Sequence, residues 1–496
     1  MLFNSLEFLE FLLIVVSIYF LIPSKYRWVL LLIAGFYFYM QTEPMYLVVL
    51  AVSILIDYVC AVRMGKTANQ RERKYYLILS LVCNLGLLLV FKYLSFFDNA
   101  LKDFLHIFSV SYQPSILSIA APLGISYYTF KKISYIIDVY REHVEPETHL
   151  GIFALYVSFF PQVTAGPIDR GRDLLPQFRQ THRFEYSQVV GGLKLITWGM
   201  FKKIVVADRL ALVVNPIFDN PAGYEGGSLI IALFFFSIQI YADFSAYSDI
   251  AIGIGRVMGF NLADNFNRPY FAVGITEFWR RWHITLTTWL RDYIFLPIAY
   301  SSSRRLKPLR LWKLNVNVES GAYILSVFCT MLLCGLWHGA AWTYVVWGGL
   351  HGLYLAVSFV TRKFRKRMRK KWIHKKWKRT YRVLRILFTF TMVTFLWIFF
   401  RAGSMSEGGY IVSHLFTGLG DFPHILSDGE MLRNVVISLF AVGFLVFVHL
   451  FQPHDTIRDM FSRRPLLVRW LIYILLLLAI MNYGVFEDVP FIYAQF

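Results

Sequence analysis

Two histidines lie between glycines in a stretch that otherwise reads as a membrane span: Gly335-Leu336-Trp337-His338-Gly339-Ala340 and, thirteen residues on, Gly349-Leu350-His351-Gly352. An imidazole exchanges a proton near neutral pH, so it can act as a general base towards a hydroxyl or attack a carbonyl itself. At membrane depth a titratable ring costs free energy unless a partner, a water cavity or a function offsets it, which makes it a site candidate by default. No metal site is expected. Thirteen residues on one straight helix correspond to about 220° around the axis and ~20 Å along it, too far apart for one ion. A structural hydrogen-bonding role stays open for each ring, and the glycine flanks and adjoining tryptophans weigh towards function at His338.

Three further polar clusters interrupt apolar runs. Phe159-Phe160-Pro161-Gln162-Val163-Thr164-Ala165-Gly166-Pro167-Ile168 carries two prolines and a glycine. Those break a helix and require the freed backbone to face protein or water. Residues 241–249 hold Asp243 and Asp249, six apart and therefore on different helix faces. That spacing does not suit a catalytic carboxylate pair; capping, pairing with a base or lining a polar cavity fits better. Residues 277–293 read as one helix with Trp279, Trp282 and His283 on a shared face and Leu286 and Leu290 continuing it. Arg280, Arg281 and Arg291 can then meet lipid headgroups or an anionic ligand.

The elements that must carry these residues are apolar. With 57% apolar, 18% aromatic and only 16% charged residues in 496, and a mean hydropathy of +0.51, the chain reads as a polytopic membrane protein. Twelve runs approach the ~20 residues that cross ~30 Å of hydrocarbon: 6–22, 28–40, 46–62, 75–94, 151–165, 192–207, 228–252, 323–337, 341–360, 384–400, 435–451 and 467–481. We therefore expect an all-α polytopic fold of roughly a dozen transmembrane or re-entrant helices around a central tunnel. Residues 1–496 form one membrane domain in this reading, with N-terminal spans in 1–115, a catalytic core in 116–400 and C-terminal spans in 401–496. The first span, with Glu7 and Glu10 and no basic leader, reads as retained.

The net charge of +19 gathers in short loops, which fits the positive-inside bias and not a nucleic-acid footprint. Residues 362–382 carry thirteen Lys and Arg and no acid, so they are expected in the cytoplasm, on anionic lipid. Counting three spans back from the basic loop at 63–74 puts the N-terminus outside. Cys60, Cys83, Cys329 and Cys334 lack metal or disulfide spacing and read as core residues. Phosphate-loop, dinucleotide, zinc-protease and nucleophile-elbow motifs are missing, as is the internal symmetry of a secondary transporter.

Taken together, the order of motifs resembles the membrane-bound O-acyltransferase family, in particular its bacterial branch acting in alginate O-acetylation. The resemblance rests on 159–168, Phe201-Lys202-Lys203, Ala207-Asp208-Arg209, Asp264-Asn265-Phe266-Asn267-Arg268-Pro269-Tyr270, 277–297, Trp337-His338-Gly339-Ala340 and Phe491-Ile492-Tyr493-Ala494-Gln495-Phe496. It implies that His338 matches the family's catalytic histidine and His351 a second recurrent one. It further implies an acetyl group moved from cytoplasmic acetyl-CoA across the inner membrane to an extracellular polysaccharide such as alginate. His338 would then act as base or as transient acetyl carrier, and Lys202, Lys203, Arg280, Arg281 and His283 would meet the coenzyme. Expected partners are an extracytoplasmic acetyltransferase or esterase-like protein, a polysaccharide biosynthesis complex and membrane lipids. Peptidoglycan O-acetylation, D-alanyl transfer to teichoic acid and, from another class, polysaccharide or lipid export are the alternatives. An upstream Asn or Asp partner for His338, common in the broader family, has no assignment from sequence.

Overall fold

The computed structural model describes residues 1, 3–41, 44–113, 121–305, 309–311, 314–372, 377–420, 429–452, 464–486 and 491–492. Lys375 and Lys376 of the basic stretch and residues 493–496 of the C-terminal motif lie outside them. The described chain is mainly helical, with one short antiparallel ribbon, β1 (Leu309–Leu311) and β2 (Leu314–Val316). Eight of its helical runs are long and apolar enough to cross a membrane, so this is a multi-pass membrane protein.

The other four apolar runs of the sequence are shorter or broken. Residues 6–22 and 28–40 form α1 (Leu6–Leu21) and α2 (Arg27–Met40). The run at 151–165 yields only the nine-residue α7 (Leu150–Ser158), because Pro161 and Pro167 follow. The run at 192–207 is divided between α9 (Tyr186–Met200) and a π-helical segment, Phe201–Ala207.

Residue contacts separate the chain into two compact units. One comprises residues 1–200, 246–263 and 486–496, the other 201–245 and 264–485. The first holds α1 to α9, including α3 (Pro44–Lys66), α4 (Gln70–Leu88), α5 (Leu94–Ile107), α6 (Ile125–Tyr140) and α8 (Gly171–Phe178). Two buried lysines in it are paired internally, as polar groups at membrane depth require. Lys131 Nζ donates to the Tyr156 carbonyl at 2.8 Å and to Gln162 Oε1 at 3.1 Å. The Gln162 amide donates in turn to Asp169, whose carboxylate also accepts from the Ala263 backbone at 3.1 Å. The proline-rich stretch 159–169 is thereby held as buried, non-helical backbone. Lys132 pairs with Asp57 at 3.2 Å, and Asn84 and Ser80 donate to the same carboxylate.

The second unit runs from α10 (Asp208–Asp219) through the first part of α11 (Gly226–Val257) to α12 (Ile275–Trp279), α13 (Ile284–Leu290) and α14 (Leu296–Arg305). It continues with α15 (Val318–His338), α16 (Trp342–Val360), α17 (Arg362–Trp372), α18 (Lys378–Arg401), α19 (Met405–His414), α20 (Gly429–Phe451) and α21 (Leu466–Tyr483). Helices α15 and α16 form an antiparallel hairpin that reverses at Gly339–Ala341. A Cβ on Gly335 would run into the Tyr344 carbonyl oxygen, and one on Gly348 into that of Met331, while Gly352 faces Phe328. Bare glycine lets the two backbones approach, the small-residue packing that membrane helices use when hydrocarbon gives no hydrophobic drive. Glycine's freedom of φ would allow a bend within the 341–360 segment. Instead α16 runs unbroken through Gly348, Gly349 and Gly352, and the reversal lies before it.

Candidate active site

The hairpin solves the spacing problem that one straight helix posed. His338 ends α15 and His351 lies midway along α16, and both rings meet Trp347, with centroids 5.2 and 4.8 Å away. His338 stands edge-on to Trp347 at 89° and also packs on Trp337 and Phe400, at 4.9 and 5.3 Å. Trp397, stacked on Trp347 at 5.6 Å, and Phe278, 6.4 Å from His351, extend the box. Both imidazoles are closed to water, His338 being 3% and His351 0% exposed. The surrounding rings pack directly against His338.

The hydrogen bond at His351 fixes its tautomer. Trp279 Nε1 can only donate, and it reaches His351 Nδ1 at 3.3 Å. Nδ1 is therefore the acceptor and Nε2 carries the proton. Nε2 has no hydrogen-bond partner among the described residues. His351 thus presents an N–H donor inside an apolar box, suited to meeting a developing negative charge and unsuited to taking a proton through Nδ1. That leaves His338 as the ring able to accept one.

His283 lies beside the box, 5.9 Å from Trp337, but on a different backbone from the one expected. Residues 277–293 are not one helix: α12 ends at Trp279, and His283 caps α13 with φ +42°, in the left-handed region. Asn265 explains the break. Its Oδ1 accepts from the Thr285 backbone at 3.3 Å, from Thr285 Oγ1 at 2.9 Å and from His283 Nδ1 at 3.0 Å. The Thr285 backbone donor identifies that atom as the amide oxygen, so His283 donates through Nδ1. Burial holds the His283 imidazole well below its usual range, which keeps it neutral.

Among the other basic residues, Lys202, Lys203 and Arg281 have partners within the protein. Lys202 is buried and donates to Ser245 at 2.7 Å. Lys203 bridges Asp208 at 2.7 Å and Asp243 at 3.0 Å, so Asp243 pairs with a lysine and serves structure. Arg281 pairs with Glu277 at 2.5 Å, and Arg280 is exposed. Among the described residues no group of three His, Cys, Asp or Glu forms a metal site, and the four cysteines are free.

Sequence reasoning missed Trp347, Trp397 and Phe400, and named Asn265 only within a motif, with no role. Trp347 stands four residues before His351, one helical turn, and that spacing was a usable signal. Trp397 and Phe400 read only as part of an apolar span.

Comparison with known proteins bears on the same region. Residues 147–404 match the model of the membrane-bound O-acyltransferase family. A probable alginate O-acetylase of Pseudomonas aeruginosa is 36% identical over 467 residues, covering 93% of this chain and 83% of its own. One from Azotobacter vinelandii is 35% identical over 450 residues, with 90% and 84% covered. A peptidoglycan O-acetyltransferase of Helicobacter pylori is 31% identical over 449 residues, with 82% and 79% covered. The matched segment holds the whole α15–α16 hairpin and both of its histidines, and the chain belongs to the membrane-bound O-acyltransferase family and is an acyltransferase.

Proposed function

We propose that this chain is the membrane subunit that takes acetyl from cytoplasmic acetyl-CoA and passes it across the inner membrane for O-acetylation of an extracellular polysaccharide such as alginate. The observation that carries the reading is the pairing of His338 and His351 on one tryptophan, with one ring held as an N–H donor. In this reading His338 accepts the proton of the acceptor hydroxyl as oxygen attacks the thioester carbonyl. His351 Nε2 donates to the carbonyl oxygen as charge builds there. The thiolate of the donor leaves, and the proton on His338 returns to it. The two close relatives named as alginate O-acetylases support the polymer, and the peptidoglycan enzyme marks the nearest alternative acceptor.

The cationic stretch at 362–382 faces the cytoplasm and the N-terminus lies outside, in accord with the positive-inside bias. An extracytoplasmic esterase-like protein within a polysaccharide biosynthesis complex receives the group. Purified protein in sealed liposomes, given radiolabelled acetyl-CoA on the side bearing residues 362–382, should release free CoA and deliver label to an acceptor on the opposite side. Intact acetyl-CoA throughout, or label transferred only from another donor, would overturn the donor assignment.

A further inference from the structure

In the second unit, α20, α21 and the π-helical segment Phe201–Ala207 line a groove of about 580 Å³. One apolar stripe on each element forms a wall. On α20 the stripe is Ile437, Phe440 and Phe444, and on α21 it is Leu475, Ala479 and Tyr483, all three or four residues apart as one helix face requires. Phe201 and Val205 form the third wall. Both helices are long and apolar enough to cross a membrane, and Phe440 is 77% and Leu475 56% exposed, so the groove opens towards hydrocarbon. At one end Phe201 and Phe444 meet edge to face at 5.4 Å.

The other end is cationic. Arg433 stands four residues before Ile437, and Arg209 four residues after Val205. Arg209 is built into that end: Nη1 donates to Asn434 Oδ1 at 3.0 Å and Nη2 to the Tyr483 carbonyl at 2.6 Å, one of the acceptors that the end of α21 leaves open. The Val485 backbone donates to the Ile204 carbonyl at 2.9 Å and holds the same junction. Among the described residues no carboxylate pairs with Arg209, and its buried Nε has no hydrogen-bond partner. Arg433 is exposed and meets Glu430 at 3.9 Å, too far for a hydrogen bond. The two guanidinium groups lie close enough to repel each other.

We propose that this groove holds one anionic phospholipid, with an acyl chain between α20 and α21 and its phosphate at Arg209 and Arg433. Length and charge both fit. From Arg433 to Phe444 the helix rises about 16 Å, close to half of the ~30 Å hydrocarbon core and so to the depth of one leaflet. Guanidinium N–H groups match phosphate oxygens, and basic pockets between spans suit anionic headgroups. A zwitterionic lipid brings the same chain, but its own cation offsets the phosphate. A protein helix would fill the apolar walls and leave the two arginines without an anion. The bound lipid ties the segment that carries Lys202 and Lys203 to the last two spans, and a ligand that binds only the folded chain stabilises it.

The test uses the full chain, delipidated in a non-ionic detergent, with phosphatidylglycerol and phosphatidylcholine of identical acyl chains as probes. Native mass spectrometry should show one phosphatidylglycerol retained per chain in preference to phosphatidylcholine. Phosphatidylglycerol should also raise the unfolding midpoint as its concentration rises. Arg209→Gln and Arg433→Gln should each weaken phosphatidylglycerol by about tenfold, Arg209→Lys by less, and none should alter phosphatidylcholine. Arg433 is exposed and holds no other element, so Arg433→Gln keeps the test decisive if Arg209→Gln fails to fold. Ala479→Phe, which fills the groove and spares both arginines, should lose the lipid as well. Equal retention of the two lipids by parent and variants would overturn the site and leave only ordinary contact with the bilayer. A dimer that Ala479→Phe separates, with no phosphatidylglycerol retained by the parent, would give the groove to a second copy and overturn the lipid.

Discussion

At the scale of single residues, the division of labour proposed for His338 and His351 follows from one hydrogen bond. Trp279 occupies His351 Nδ1 and so leaves Nε2 as donor. If that N–H is what matters, an amide that can also donate from the end of its side chain should replace it in part. We predict that His351→Ala lowers the rate of acetyl transfer by about 10²-fold, in the range seen when a single oxyanion donor is removed. His351→Gln should recover part of that loss, with the effect in kcat and little in KM. Equal loss in the two variants would point to a packing role. The histidines themselves were legible because a polar ring between glycines stands out in an apolar run. Their aromatic surroundings were not, since Trp397 and Phe400 belong to a different helix and have the composition of any span. Asn265 escaped for a similar reason: it acts eighteen residues away from His283, and nothing local marks an amide that captures a distant backbone.

At the scale of elements, glycine was the ambiguous letter. Gly348 and Gly352 can signal a bend, through freedom of φ, or close approach, through absence of a side chain. The sequence does not separate the two, and here the second holds. Gly348→Ala would gain about 0.5–1 kcal/mol of helix propensity. Its new methyl group would meet the Met331 carbonyl, however, and overpacking costs about 1–3 kcal/mol, so the packing term wins. Gly348→Val should lower the thermal midpoint in detergent and reduce activity by shifting His351 relative to α15, whereas Gly349→Ala, whose Cβ would meet only the end of Leu332 at 3.4 Å, should do neither. Unchanged stability in Gly348→Val would contradict the packed hairpin. The break at His283 was hidden for the opposite reason. Trp279, Trp282 and His283 have faultless helical spacing, and the hydrogen bonds of Asn265 override it.

At the scale of the whole molecule, membrane class and most spans could be read from length and hydropathy, because those depend on composition over ~20 residues. The two units could not. Their boundaries pass through the middle of α11, and contact between segments far apart in sequence leaves no local mark. The central claim joins these scales: acetyl crosses the membrane by way of His338. Its most direct test is the rate at which liposomes containing His338→Ala protein, matched to the parent in amount and unfolding midpoint, transfer acetyl from CoA to an acceptor on the far side. The account predicts a fall of about 10²–10⁴-fold. A rate within about twofold of the parent, well under the tenfold that 1.4 kcal/mol represents, would contradict it.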